Sequence, residues 1–430
     1  MTRRIRPEPM PERLRVCLLS YRGNMYSGGQ GIYLYYLSRE LARLGHEITL
    51  IVGPPYPAPM HWARVIKIPN QNFYGVRRDF LSRSNPLSIF TPLNFSEFAM
   101  TRLWFFPEIL AFSLRAFRKL TQLWNEGQRF DLIHDNQCLG YGYLLMRAFG
   151  VPVIASIHHP LGLDRSADFE QTQSLVERLR RVVFYPFVMQ KLVAKSLDMV
   201  ISGSQDSAQA VCRAFQLNPA RMRVAYDGVD DDVFHLYPAV EKIPRRLIFV
   251  GNTEDRKKGI LYLIQALEQL PPDTHLLIVD GCSKYKFWVN WLLDKYKLKH
   301  RVQVLERLSA DALAREYAKS EISVVPSVYE GFGLPAAEAM ACGLPVVCTD
   351  GGALPEVVGD DGASIIVPPK NADAIARAIK KLLDQPGLRK EMGNRGFKRV
   401  MERFTWRECA RVTSEVYSEA VSRGSGYADR

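Results

Sequence analysis

Glu330 and Glu338 stand eight positions apart in the stretch YEGFGLPAAEAMACGLPVV, with a Gly-Phe-Gly turn and a proline between them. Paired carboxylates suit work on hydroxyl-rich ligands, because an ionised carboxylate accepts several O–H donors at once. Pro335 fits the first helical position, where its missing N–H costs nothing. The run AAEAMAC favours helix, and Gly343 can end it in the left-handed conformation. The backbone N–H groups after Phe332, those of Gly333 and Leu334, then point out of a helix N-terminus, which is a ready anion site. Two acids flanking an anion site describe a ligand that carries both phosphates and hydroxyls.

A phosphate ligand also needs cations, and VGNTEDRKKGILYLIQAL offers Arg256, Lys257 and Lys258 at a strand end entering a helix. Cations are unfavourable at a helix start unless an anion joins them. Gly28, Gly29 and Gly31 precede another helical pattern and allow close approach of backbone to a ligand. They are not the dinucleotide fingerprint, because the third glycine would fall at Leu34. His158 and His159 end a strand in ASIHHPLG, and the triple acid Asp230-Asp231-Asp232 reads as structural rather than metal-binding.

These residues must be held by a scaffold, and strand and helix patterns alternate almost throughout. LRVCLLS, HEITLIVG, FDLIHDN, VPVIASIHH, LDMVISGS and RMRVAYDGVD predict one series of strands with helices between them, hence a parallel sheet. The proline-bearing YPAVEKIPRR, Tyr237 to Arg246, reads as a linker. LIFVGN, HLLIVDG, VQVLE, ISVVPS, LPVVCT and ASIIVPP then predict a second sheet. In both, Glu330 and His158 fall at carboxyl ends of parallel strands, where open α/β sheets bind ligands. The expected division is 1–237 and 238–404, each an α/β doubly wound domain, with a final helix over 405–430 crossing back to the first. Residues 71–129 break the alternation: RLWFFPEILAFSLRAFRKLTQLW mixes aromatic and basic residues at helical spacing. Such a segment can be helices packed on the first sheet or an amphipathic face for a membrane surface.

Composition limits the function classes. At 430 residues the chain exceeds one ordinary core. No uncharged apolar run reaches membrane-spanning length. Its net charge of +12 suits anionic partners, but no zinc-finger or RNP-like pattern supports nucleic acid. Seven scattered cysteines without a CxxC pair read as buried thiols of a reducing, cytoplasmic compartment. No metal-ligand spacing occurs, so no metal site is expected.

Taken in order, GGQGIY (Gly28 to Tyr33), GVDDDVF, the E-x7-E element EGFGLPAAE and the loop TDGGALPEVV (Thr349 to Val358) resemble the retaining GT-B glycosyltransferases of family 4, outside residues 71–129. That resemblance implies two Rossmann-like domains facing a cleft and transfer of a hexosyl group from a UDP- or GDP-sugar to an acceptor hydroxyl, with no cofactor. It places Glu338 on the ribose, Glu330 on the sugar ring and Lys258 on the pyrophosphate. Gly251, Asn252, Arg256, Phe332, Gly333, Leu334, Gly28 and Gly29 surround the donor, and His158 contacts its sugar. Asn252 stands where relatives carry an arginine, in a loop one residue longer, so Arg256 or Lys257 takes that charge. The acceptor is not identified by the resemblance; the basic charge and aromatic residues suit a membrane-borne lipid or a growing cell-envelope saccharide, with peripheral contact on an anionic membrane. The rival readings are a nucleotide-sugar epimerase and a non-catalytic binding protein on the same scaffold.

Overall fold

The computed structural model describes residues 13–25, 29–70, 90–102, 107–158, 187–281, 287–306 and 308–428. The chain forms two compact units. Met1–Ser202, Ala208–Ala225 and Ala410–Arg430 make the first; Gly203–Ser207 and Tyr226–Cys409 make the second. The second unit thus takes up the chain ahead of the 237–246 stretch. Val229 already bridges to Thr405 within it.

In the first unit β1 (Arg15–Ser20), β2 (Glu47–Val52), β3 (Ala63–Lys67), β4 (Leu132–Asn136), β5 (Val153–Ser156), β6 (Met199–Ser202) and β7 (Met222–Val224) form a parallel sheet in the order 3-2-1-4-5-6-7. Every residue of β4, β5 and β6 is buried, as expected for strands covered by helices on both faces. The β3 strand lies outside the patterns read above. It is a half-exposed edge, where Arg64 and Lys67 discourage further strand pairing.

In the second unit β8 (Arg246–Val250), β9 (His275–Asp280), β10 (Val302–Glu306), β11 (Ile322–Val325), β12 (Val346–Thr349) and β13 (Ser364–Val367) run parallel in the order 10-9-8-11-12-13. Alternate residues feed opposite faces. Leu247, Phe249, Leu276 and Ile278 join one core, while Ile248, Leu277 and Val279 join the other. Each sheet therefore reverses its winding once, between β1 and β4 and between β8 and β11. Ligands of doubly wound folds sit outside the strand carboxyl ends at such a reversal.

The 71–129 segment contributes two described helices, Pro92–Arg102 and Glu108–Asn125. The second places Ile109, Phe112, Ala116, Leu120 and Leu123 in the core of the first unit. Its apolar stripe is therefore buried by the sheet; residues 71–89 and 103–106 lie outside the described residues. Among the described residues no helix is long and apolar enough to cross a membrane. The last helix, Trp406–Ala428, gives its residues from Ala410 onward to the first unit. There the imidazole of His46 meets Ser414 Oγ at 2.7 Å and that of His134 meets Tyr417 Oη at 2.7 Å.

Candidate active site

The winding reversal of the second unit brings two loops together. The loop after β8 begins with Gly251. Asn252 closes its first turn by accepting the Glu254 N–H at 3.0 Å, and Thr253 donates to the buried Asp280 carboxylate at 2.6 Å. Asp255 then caps a short 3-10 turn, Arg256–Lys258, accepting the Lys257 N–H at 3.0 Å. Gly259 follows with φ +70°, and a Cβ there would lie 2.0 Å from the Pro326 carbonyl oxygen. Only glycine lets this turn press against the end of β11. The contact is completed by Val328 N–H donating to the Lys257 carbonyl at 2.7 Å.

That closeness puts Lys258 onto Glu330. The ammonium meets both carboxylate oxygens, at 2.8 and 2.9 Å, and Ser327 Oγ donates to Oε1 at 2.7 Å. Burial works against the Lys258 charge, but Glu330, as charge and as acceptor, outweighs it and holds the lysine pKa above its ordinary value. Three N–H donors sit on an ammonium, so a pair held by two of them keeps one for an anion.

The backbone of Glu330 is equally constrained. It bridges to Gly352, and its carbonyl accepts the Ala353 N–H at 2.9 Å. Gly352 has φ +66°, and a Cβ would stand 2.3 Å from the Glu330 oxygen, which accounts for the paired glycines of TDGGALPEVV. The Gly331 carbonyl accepts from the Ser204 and Ser207 hydroxyls at 2.6 and 3.0 Å. Phe332 is buried edge-on against Phe404 at 5.7 Å. Gly333, at φ +103°, then caps the helix Leu334–Ala341. This helix starts at Leu334, so Pro335 is its second residue rather than its first. Gly343 ends the element at φ +72°, as its sequence context suggested.

Glu338 sits on that helix and accepts from Tyr317 Oη at 3.2 Å. Burial raises its pKa to about 8, with the Tyr317 hydrogen bond opposing the shift. Arg256 lies in the same loop as Lys258, but its guanidinium stacks over the Trp288 indole at 4.8 Å.

The glycine segment and the two histidines belong to the first unit, the acid run 230–232 to the second. Gly29 opens the helix Gly29–Arg43, and Gly31 passes so near Asn24 that a Cβ would lie 1.8 Å from its carbonyl oxygen. Gly28 and His159 lie outside the described residues. His158 donates its backbone N–H to Gln137 Oε1 at 2.8 Å, and its Nε2 meets Asn136 Oδ1 at 3.1 Å. The Tyr33 ring packs edge-on against the imidazole with centroids 4.6 Å apart. Of the acid run, Asp231 pairs with Arg407 at 3.2 Å. No group of three or more His, Cys, Asp or Glu able to hold a metal occurs among the described residues.

Sequence reasoning missed Ser327, Tyr317, Asn136 and Gln137. Ser327 carried a faint signal as the polar end of the apolar run ISVVPS, as did Asn136, which closes FDLIHDN, and Gln137, which follows it. Nothing in the sequence marks Tyr317, which reaches Glu338 from the helix Ala310–Lys319.

Comparison with known proteins shows the family and the fold. The family described as Glycosyltransferase Family 4 matches residues 27–233, and glycosyl transferases group 1 matches 238–399. An MMP alpha-(1->4)-mannosyltransferase of Mycolicibacterium hassiacum is 36% identical over 417 residues, spanning 95% of this chain and 99% of the relative. The chain belongs to glycosyltransferase family 4. This glycosyltransferase is also 26% identical to a D-inositol 3-phosphate glycosyltransferase of Xylanimonas cellulosilytica, over 94% of its own length and 95% of that protein. Its fold is that of GT-B enzymes. Sucrose-phosphate synthase of Thermosynechococcus elongatus superposes with a TM-score of 0.72 at 24% identity, covering 95% of this chain and all of that one. Anabaena HepE in complex with UDP-glucose superposes with a TM-score of 0.66 at 18% identity, covering 96% and 100%.

Proposed function

We propose that this glycosyltransferase moves a mannosyl group from a nucleoside-diphosphate sugar to an acceptor hydroxyl with retention of anomeric configuration. The observation that carries the reading is the Lys258–Glu330–Ser327 cluster beside the Gly333 helix N-terminus, at the winding reversal of a doubly wound sheet. Mannose is favoured by the 36% identical relative, which is named a mannosyltransferase.

The roles follow from chemistry. The bond from the anomeric carbon to the phosphate oxygen breaks, and negative charge grows on the pyrophosphate. Lys258 and the N–H groups of the helix tip stabilise that charge as it develops. Glu330 accepts hydroxyls of the sugar ring, and Glu338 accepts ribose hydroxyls. The acceptor oxygen bonds to the anomeric carbon on the face the phosphate leaves, and the departing phosphate oxygen takes the acceptor proton. Atoms and charges balance without a cofactor, the sugar nucleotide being the co-substrate. The six described cysteines, all free thiols, support a cytoplasmic setting. The acceptor class is a saccharide or lipid-linked saccharide.

The test incubates the purified chain with GDP-mannose, UDP-glucose and ADP-glucose, each with and without methyl α-mannoside or an α-1,4-linked mannobioside. We expect acceptor-dependent release of GDP and an α-linked product by NMR. A β-linked product overturns retention. An isomerised nucleotide sugar formed without acceptor favours the epimerase, and donor binding without turnover on any acceptor favours the binding protein.

A further inference from the structure

At the winding reversal of the first unit, one buried amide touches three elements. Asn136 ends β4 and is fully enclosed. Its Nδ2 donates to the Gln30 carbonyl of the glycine segment at 2.9 Å and to Ser20 Oγ, at the end of β1, at 3.3 Å. Its Oδ1 faces Nε2 of His158 at 3.1 Å. The orientation of this amide is not arbitrary. A carbonyl can only accept, so the atom facing Gln30 must be the NH2 group. Ser20 gives its own proton to the Arg22 carbonyl at 2.7 Å, so it too receives from Asn136. Two separate partners therefore fix Oδ1 toward the histidine. An amide oxygen can only accept, and so Nε2 of His158 must carry a proton.

We propose that Asn136 is a positioning residue that locks His158 as the Nε2–H tautomer, so that its Nδ1 nitrogen acts only as a hydrogen-bond acceptor. Gln137 completes the clamp by accepting the His158 backbone N–H at 2.8 Å, itself held at φ +54°. A non-glycine residue in that region is uncommon and is kept only when its surroundings demand it. Here the demand comes from Asp135, whose carboxylate accepts the N–H groups of Cys138 and Leu139 at 3.1 and 2.7 Å and ties the turn. Tyr33 walls the opposite side: its ring meets the imidazole, and its hydroxyl is 2.6 Å from Ser156 Oγ. The same asparagine registers the glycine segment through Gln30, so one side chain sets two parts of the family's substrate machinery. The kinetic part of this inference rests on the substrate contact assigned to His158; the tautomer does not.

The experiment labels the full chain with 15N-histidine and records two-bond 15N–1H correlations at pH 8.5, where the imidazole is neutral. The His158 signal is assigned by its loss in His158→Gln. We expect the Nε2–H pattern in the wild-type protein and a mixed or reversed pattern in Asn136→Leu. An Nδ1–H pattern in the wild type, or an unchanged pattern in Asn136→Leu, overturns the lock, and the wild-type measurement stands even if the variant fails to fold. In kinetics, losing one hydrogen bond net corresponds to roughly a tenfold fall in kcat/KM for Asn136→Leu. That fall should shrink when Asn136→Leu is made in the His158→Gln background, by the part that the asparagine exerts through the histidine rather than through Gln30 and Ser20. Additive losses would show that Asn136 works by some other route. Unaltered kinetics in His158→Gln, with the tautomer confirmed, would remove only the substrate contact.

Discussion

Removing the Lys258 ammonium leaves the Glu330 carboxylate nearly buried, with Ser327 as its remaining side-chain donor. Two effects then separate. Breaking a buried pair from one side destabilises by about 3 kcal/mol or more, and losing a donor aimed at developing charge slows turnover by about 100–1,000-fold. Lys258→Ala should therefore lose both, and melting curves beside donor-saturated rates will tell them apart. Full turnover in a folded Lys258→Ala protein would contradict the assignment. Glu338 offers a second test, because its pKa is pushed from 4.5 up to about 8. Between those values the folded state holds a proton that the unfolded chain has released, so stability falls as pH rises through this window. Below pH 4.5 both states are protonated and the contribution is fully present. Glu338→Gln should flatten part of that slope in denaturant titrations; Asp135 and Asp227, raised by burial to about 7, contribute in the same direction. An identical slope in the variant would show that Glu338 ionises normally.

At the scale of elements, the two loops that carry Lys258 and Glu330 are held together by a glycine rather than by a hydrophobic contact. Gly259 combines a left-handed φ of +70° with backbone 2.0 Å from where a Cβ would stand. Gly259→Ala must therefore push the β8 loop away from β11, at a cost of about 1–3 kcal/mol from the backbone conformation alone. We expect a melting temperature lower by a few degrees and a larger loss of activity than of stability, since the displaced group is Lys258. Retained activity with a lowered melting temperature would place the lysine's positioning elsewhere. The neighbouring short helix is a similar case. Gly333 at φ +103° lets the chain turn from the Glu330 loop into Leu334–Ala341 and leaves the first N–H groups pointing outward. Helix 108–125 illustrates the opposite outcome for a suggestive sequence, because its apolar stripe is already consumed by the first core.

For the molecule as a whole, the chain's last long helix, from Ala410, closes the first unit rather than trailing from the second. Its polar hold on that unit comprises two buried hydrogen bonds, Tyr417 Oη with His134 Nδ1 and Ser414 Oγ with His46 Nε2, and the half-buried ion pair of Glu419 with Arg223. Burial, and secondarily the nearby His158, keeps the His134 pKa down to about 3, so this imidazole is neutral and needs hydrogen-bond partners on both nitrogens. Tyr417→Phe removes one of them and leaves a buried ring nitrogen unsatisfied, worth about 1–3 kcal/mol. The expected result is a lower unfolding midpoint with nucleotide affinity unchanged. An unaltered midpoint would show that water or a neighbour replaces the tyrosine.

The sequence by itself determined the alternation of strands and helices, hence two parallel doubly wound sheets. Hydrophobic runs bounded by glycine and proline are local signals, and β4, β8, β10 and β11 lie where such runs fall. It also marked Glu330 and Glu338, because acids beside a glycine-broken turn are legible without knowing what lies opposite, while the resemblance to family 4 singled out Lys258 from the run Arg256–Lys258. It did not reveal β3, whose exposed edge carries little apolar pattern, nor the start of Leu334–Ala341 one residue early. Only the tertiary structure decided which groups meet. Lys258 reaches Glu330 across 72 residues of chain, Tyr317 reaches Glu338 across 21, and Asn136 joins Gln30 across 106. Such contacts depend on strand order, which places β8 beside β11 and β1 beside β4, and strand order is fixed by the packing of whole helices rather than by any short stretch of residues.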